Sequence, residues 1–400
     1  MASSLFKEIA DRLSFNGAVD VDNWTFKFFS RVSVGLFLAA SAASVTTSFV
    51  GSPIECKGDP TKYDETYCWL HGTKHLPKTR LSAAISNGET CFSYNGIESD
   101  DEKATTYYVW VSLVLFLSAA VFMIPNNLWN HFEGGMLEQF GSSRSNFLSD
   151  KEKHAAIFKK LSKNQTKRYF FTFIFFECLN YVLAIVVFVM TDKFLFGKFA
   201  TYGLDAIAYL RGTATAIESP DGNGKVVVNP MCNLFPTIVS CDFNFYGVTG
   251  QTDSRSNICL MGQNIMNQKI YLIIWIWFVV LFTVSGCMIL YRVLTFVLPD
   301  FQRKSIQMYI QSTDDEAVKA LLLDFDHIGN WFLLTQIGRN TDPYKFREFL
   351  NEVVGKAKKV NKEKTQKTVT VSEKNPSPSP KDDYEKPSGH DLEKGLMTIQ

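Results

Sequence analysis

Cysteine is the residue type whose number and spacing most plainly permit chemistry in this 400-residue chain. Of the eight, six fall into two groups outside the long apolar blocks: Cys56, Cys68 and Cys91, then Cys232, Cys241 and Cys259. Cys178 and Cys287 lie inside those blocks. Thiols so placed can form disulfides or hold a metal. The metal reading has a local argument, because Cys68 stands close to His71 and His75 with Cys56 upstream. Matching cysteines in a second segment favour disulfides, and no metal is expected. Six cysteines allow 15 pairings, among which spacing does not choose.

Carboxylates offer two further candidates. Glu177, with Asn180 three residues on, sits within an apolar block, where a carboxylate is costly and therefore functional by default. No cation partner is evident, so a buried hydrogen-bonded contact between helices, with the carboxyl able to stay protonated, is the expected role. The run Glu98, Asp100, Asp101 and Glu102 could attract divalent cations but reads first as a solvated acidic stretch. Pro220-Asp221-Gly222-Asn223-Gly224 has the look of a phosphate or calcium loop. The first fails because Lys225 is followed by Val226, and the second lacks the ladder of acidic ligands. Asn-Gly before a β-branched run predicts a hairpin turn instead. With no nucleophile–base pairing, zinc-protease motif or dinucleotide fingerprint, neither enzymatic activity nor a cofactor is expected. The net charge of +1 gives no global field directed at nucleic acid.

The elements that must position these residues follow from hydropathy. Hydrophobic residues make up 46% of the chain, with 34 phenylalanines, yet the mean hydropathy is near zero. Apolar and polar blocks therefore alternate. A membrane helix needs ~20 apolar residues because its backbone must satisfy itself inside the hydrocarbon. Four stretches qualify, at 28–50, 107–129, 169–190 and 270–296. Tyr107, Tyr108, Trp110, Trp129, Tyr271, Trp275 and Trp277 lie at depths suited to interfacial belts. Between the spans lie loops at 51–106, 130–168 and 191–269, flanked by an N-terminal segment (1–27), a helical region (297–355) and a Lys/Glu/Ser/Pro tail (356–400). The tail composition predicts disorder. The expected fold is an all-α membrane protein with four transmembrane helices, disulfide-braced extracellular loops containing short β structure, and a helical cytoplasmic domain. Met1–Asn23 shows no signal-peptide pattern, so the first apolar block is expected to act as an uncleaved membrane signal.

Charge orients the chain. Arg144, Lys151, Lys153, Lys159, Lys160, Lys163, Lys167 and Arg168 lie between the second and third spans. The segment between the first and second ends instead in the acidic run. The basic loop and both termini are expected in the cytoplasm. The six grouped cysteines then fall on the oxidising side, an independent agreement.

Ser30, Ser33, Phe37, Ser41, Ser44 and Ser48 recur at steps of three or four along the first span, with Thr46 and Thr47 near its outer end. This stripe either faces water in a pore or packs against neighbouring helices, as small hydroxyl residues do in membranes. Leu5, Ile9 and Leu13 suggest a short amphipathic helix, lying on the membrane or folded into a pore mouth. Pro125 should kink the second span, as a gating hinge or a packing feature.

Several segments resemble one family. Phe49-Val50-Gly51-Ser52-Pro53-Ile54-Glu55-Cys56, Tyr67-Cys68-Trp69 and Tyr107-Tyr108-Val109-Trp110-Val111 are similar to innexin sequences around the first outside loop. Pro125 to Trp129, Phe132-Glu133-Gly134-Gly135, Phe235-Pro236 to Cys241, Cys259 to Lys269, Gly329-Asn330-Trp331-Phe332-Leu333-Leu334 and Asp342-Pro343 continue the likeness in order, from about Asp22 to Leu350. The resemblance implies subunits assembled, as octamers, around a wide pore lined by the first span and the N-terminal helix. On that basis Leu5, Ile9, Ser30, Ser33, Phe37, Ser41, Ser44, Thr47 and Ser48 are the pore-lining candidates, and Pro125, Glu177 and Asn180 the gating or packing ones. It also implies the bridges Cys56–Cys259 and Cys68–Cys241; Cys91 and Cys232 are extra and are expected to form a third. Many innexins have Lys-Gln where this chain has Thr47-Ser48, so charge selectivity does not carry over. Connexins, with three more tightly spaced cysteines per loop, fit less well.

The expected function is an innexin-type gap-junction channel at the plasma membrane, passing ions and small molecules between adjacent cells. Its partners would be copies of itself, a hemichannel of the adjacent cell, other innexin subunits and membrane lipid, without nucleic acid. The rivals are an undocked pannexin-like hemichannel and a non-conducting adhesion or scaffold protein. The sequons at Asn23 and Asn164 fall in predicted cytoplasmic segments, leaving the outside loops free of glycans that would obstruct docking.

Overall fold

A computed structural model describes residues 19–57, 62–75, 91, 104–142, 146–213, 217–218, 225–226, 229–246, 249–310 and 328–353. Leu5, Ile9, Leu13, the acidic run 98–102, the turn 220–224 and the tail from 356 lie outside the described residues, as do the side chains of Thr47 and Ser48.

Four helices are long and apolar enough to cross a membrane. The first, α1, is continuous through Trp24–Lys27, a π-helical turn at Phe28–Ser33, and Val34–Val50. Next come β1 (Glu55–Cys56), α2 (Lys62–His71) and α3 (Tyr107–Glu133), which Gly134 ends in the left-handed conformation at φ 62°. After α4 (Lys151–Lys160), Ser162 and Gln165 form a reciprocal capping box that starts α5 (Lys163–Phe194). The segment between α5 and the last span holds α6 (Phe199–Leu210), β2 (Ile217–Glu218), β3 (Lys225–Val226), α7 (Pro230–Leu234), β4 (Ile238–Tyr246) and β5 (Thr252–Leu260). The chain continues through α8 (Gly262–Val297), α9 (Pro299–Ile310), α10 (Ile328–Asn340) and α11 (343–353).

Every spanning helix outruns its hydropathy-based estimate. α5 extends beyond 169–190 at both ends, α3 continues past 129 to Glu133, α1 begins at Trp24 rather than 28, and α8 begins at Gly262 rather than 270. Hydropathy senses the hydrocarbon, whereas helical hydrogen bonding continues wherever polar side chains find partners. Gln263, Asn264, Asn267 and Gln268 are buried and polar, and they carry α8 into the disulfide-bearing domain. α3 also runs through Pro125 without interruption.

α1 and α5 each pack against both α3 and α8, so the spans form a closed ring. Exposed Phe171, Phe175, Val182, Val186 and Val189 on α5, and Ile273, Ile276, Val280, Leu290 and Val293 on α8, form apolar outer faces suited to lipid. At one end, β1, β5 and β4 form an antiparallel sheet with Cys56 opposite Cys259. β2 and β3 pair as the arms of the expected hairpin. At the other end a second core gathers Trp129, Phe158, Phe170, Phe173, Trp331, Phe346 and Phe349 from α3, α4, α5, α10 and α11, with Phe140 from the turn between α3 and α4. Lys151 on α4 pairs there with Glu348 on α11.

That second core depends on a close approach. A Cβ on Gly329 would lie 2.4 Å from the Thr166 carbonyl carbon and 2.6 Å from the Lys167 nitrogen, so α10 crosses the α5 backbone where only glycine fits. Gly329→Ala should therefore destabilise the protein by ~1–3 kcal/mol. Limited proteolysis should show cleavage near α10 at protease levels that spare the parent; an unchanged digestion pattern would contradict this packing.

Candidate functional site: the first helix and what holds it

The hydroxyl stripe of α1 faces inward. Trp277 on α8 donates from Nε1 to the Ser33 hydroxyl at 3.1 Å. Ser41 donates to the Ser112 carbonyl on α3 at 2.9 Å. Gln263 donates from Nε2 to the Ser44 hydroxyl at 2.8 Å and to the Ser44 carbonyl at 3.1 Å. Ser30 donates to the Phe26 carbonyl one turn back, at 2.7 Å. Phe37 is 1% exposed, with its ring 5.4 Å from that of Phe122 and 6.0 Å from that of Phe278. Ser30, Ser33, Phe37, Ser41 and Ser44 are thus buried within the subunit, which supports the packing reading of the stripe over the pore-lining one. The physical reason is that a low-dielectric bilayer rewards hydroxyls that bond across helix contacts.

The opposite face of α1 carries Val32, Ala39, Ala42, Val45 and Thr46, all exposed, with Gly35 half-buried among them. Positions 32, 35, 39, 42 and 46 recur at steps of three and four, so they make one stripe of small side chains.

Glu177 holds the base of this helix. Its carboxylate accepts from Asn23 Nδ2 at 3.3 Å and Thr25 Oγ1 at 3.2 Å, both at the start of α1. Arg292 of α8 donates from Nε at 2.8 Å and from Nη2 at 3.5 Å. The expectation of a carboxyl without a cation is therefore corrected: Arg292 is the partner. Its guanidinium also lies 5.3 Å from the Phe173 ring centre and 5.5 Å from that of Phe332 on α10. One charge cluster joins α1, α5, α8 and α10. Asn180, buried one turn further along α5, borders a small space with Thr25, Phe29 and Ser285.

Beside this cluster Asp22 is 7% exposed. With its amide turned to satisfy both partners, Asn126 donates to the two Asp22 oxygens at 3.0 and 3.2 Å, one residue after Pro125. Burial pushes the Asp22 carboxyl up to about 6, against the pull of Arg31 and Lys27. Asp20 pairs with Lys27 at 2.6 Å, and its backbone exchanges hydrogen bonds with the Asn340 side chain at 2.6 and 2.9 Å.

At the far end the six grouped cysteines form Cys56–Cys259, Cys68–Cys241 and Cys91–Cys232. Sulfurs of Cys56, Cys68 and Cys259 cluster, but disulfide bonding leaves them no thiolate for a metal. His71 stacks on Tyr67 at 4.2 Å. Gln268 of α8 donates to the Phe235 carbonyl at 2.9 Å and lies 3.4 Å from Cys91 Sγ and 3.6 Å from Cys232 Sγ. Asn264 donates to the Pro236 carbonyl at 2.8 Å. The amides that extend α8 therefore tie the disulfide-bearing segment between α5 and α8 to the helix that also holds Ser44.

Arg292, Asp22 and the α8 amides were not singled out as site residues. Arg292 had a signal, as a lone cation inside a span that also must neutralise a carboxylate elsewhere in the membrane. Asp22 had none, because its burial comes from distant segments.

A family model described as Innexin matches residues 22–357. The chain is 31% identical over 345 residues to innexin inx2 of Drosophila melanogaster, covering 84% of this chain and 91% of that protein. It is 29% identical over 352 residues to innexin inx2 of Schistocerca americana, covering 85% and 94%. To innexin shaking-B of Drosophila melanogaster it is 26% identical over 352 residues, covering 84% and 91%.

Two predictions arise from the base of α1. Arg292→Met leaves Glu177 buried without its cation and should cost ~3–5 kcal/mol. Thermal unfolding of the solubilised protein should show most of that loss recovered in Arg292→Met/Glu177→Gln; a double variant no more stable than the single would refute the pairing. For Asp22 the folded protein holds the proton more tightly than the unfolded chain does. Its contribution to stability is therefore gained as pH falls through about 6 and lost as pH rises through it. Asp22→Asn should melt higher than the parent above neutrality, with the difference shrinking as pH falls below about 6 and vanishing only near pH ~4. Parallel melting curves across that range would count against it.

Proposed function

This chain belongs to the innexin family of gap-junction channel subunits, and we propose that its copies assemble as an octamer whose lumen is lined by the outward face of α1. The observation that carries this reading is the division of α1 into two faces. The hydroxyls of Ser30, Ser33, Ser41 and Ser44 are engaged inside the subunit, whereas Val32, Gly35, Ala39, Ala42 and Thr46 form a small-residue face left open. Small side chains keep a lumen wide, so passage would be sorted by size more than by binding. The N-terminal segment bearing Leu5 and Ile9, with Thr47 and Ser48 at the outer end of α1, would complete the lining.

The basic segment between α3 and α5 supports a cytoplasmic position for that end of the molecule and for both termini. The disulfide-bearing end would then face outside, where bridges persist. Three bridges and the β1–β5–β4 sheet give that end a rigid surface, which favours docking onto a hemichannel of the adjacent cell. Other innexin subunits could join the same ring through equivalent surfaces.

Dual whole-cell voltage clamp of paired cells expressing this chain alone tests the function and the lining together. Junctional current is expected in homotypic pairs. With Cys178 and Cys287 replaced by Ser, an impermeant thiol reagent dialysed from one pipette should block most current through Ala39→Cys or Ala42→Cys. The same reagent should spare Ser33→Cys and Ser44→Cys. Block confined to the serine positions would reverse the assignment of faces, and current in single cells alone would favour an undocked hemichannel.

A further inference from the structure

A groove of about 700 Å³ opens between the end of α3 and the start of α5. Its rim carries the exposed rings of Phe132, Phe171 and Phe175, and Arg168 stands among its lining residues, exposed in the first turns of α5. Trp129 and Tyr169 also line it, at 0% and 6% exposure. Their polar atoms, Trp129 Nε1 and the Tyr169 hydroxyl, have no hydrogen-bond partner among the described residues. A buried donor without an acceptor is expensive, so an occupant that supplies acceptors is favoured there. Glu133, which also lines the groove, does not fill that role. Its carboxylate oxygens accept the backbone N–H groups of Gly135 and Leu137, each at 2.8 Å.

An apolar rim, a cation in the same lining and unpaired buried donors suit one class of molecule. We propose that the groove binds a diacyl anionic phospholipid of the inner leaflet. An acyl chain would lie along Phe132 and Phe175, the ester carbonyls would accept from Trp129 and Tyr169, and Arg168 would meet the phosphate. The volume is that of an ordinary small-molecule site, and basic pockets between spans on the cytoplasmic side suit anionic headgroups. The assignment of leaflet rests on the orientation proposed above. The bound lipid would touch the anchor of α1 directly, because the Trp129 ring lies 6.4 Å from that of Phe26 and 5.0 Å from that of Phe173. Phe173 in turn flanks Arg292.

The test uses the full-length assembled channel in nanodiscs containing phosphatidylserine with a photoactivatable acyl chain, and the phosphatidylcholine counterpart. Labelling should concentrate on 132–136 and 171–176, well above the lipid-facing stretch 273–280 of α8. Thr172→Trp, which fills the groove, should remove the excess. Arg168→Gln, at an exposed position, should cut the preference for phosphatidylserine by about fivefold. Labelling of the groove equal to that of 273–280 would overturn the proposal. So would crosslinking of Phe132→Cys, in the Cys178→Ser/Cys287→Ser background, to a neighbouring subunit without lipid label, since a second copy would then fill the groove. Labelling reads the groove and junctional current reads the channel, so either can fail without the other.

Discussion

The Glu177–Arg292 pair is the contact on which the arrangement of the helices depends. Neither charge is tolerable alone in the bundle, because desolvation of each ion costs several kcal/mol. Together they require α5 and α8 to meet at one level, and Glu177 has lone pairs left for Asn23 and Thr25. The start of α1 is therefore positioned by a carboxylate that must itself be neutralised from a third helix. Phe332 lies over the same guanidinium, so the docking of α10 and the position of α1 share one charge. Such a cluster specifies geometry more than it stabilises, since a well-packed apolar substitute could be equally stable but would not dictate which helices meet.

Burial of the serines follows from the same physics. In a bilayer no water competes for a hydroxyl, and α3 and α8 supply partners at Ser112, Trp277 and Gln263. Once those bonds are made, the helix is locked in rotation about its axis, and what it presents outward is whatever remains. The small residues at 35, 39 and 42 thus face away from the bundle as a consequence of the hydroxyl bonds. Polarity of a stripe in a membrane helix is a poor guide to contact with water for this reason.

Much of the fold was legible because hydropathy and cysteine placement report long-range order through local composition. Four apolar blocks and two cysteine groups each carry their meaning within one segment. The pairing of the cysteines and the function came from ordered likeness to a family, since spacing leaves 15 pairings open. Helices run beyond the apolar blocks where a polar face stays helical, as at Gln263 to Gln268, and hydropathy does not report this because the partners of those amides lie in segments remote in sequence. The orientation of α1 was not legible at all. A three-four repeat of serine describes a face, and only the identity of the neighbouring helix decides what that face meets.

The two ends of α1 are held by different chemistry, and that difference has consequences for motion. At the disulfide end, covalent bridges and neutral amides of α8 surround it, none of which changes charge in the physiological range. At the other end its start is held by Glu177, Arg292, Asp22, Asp20 and Lys27, together with Asn340 from the end of α10. Those contacts depend on charge, and Asp22 sits near the pH range in which a proton can be gained. A tilt of α1 that kept its disulfide end fixed would strain the ionic contacts, the Ser33 bond and the Ser41–Ser112 bond before it disturbed the bridges. The π-helical turn at Phe28–Ser33 lies between the charged contacts and the Ser41 and Ser44 bonds, a position at which helices bend more readily than in a regular α-helical stretch.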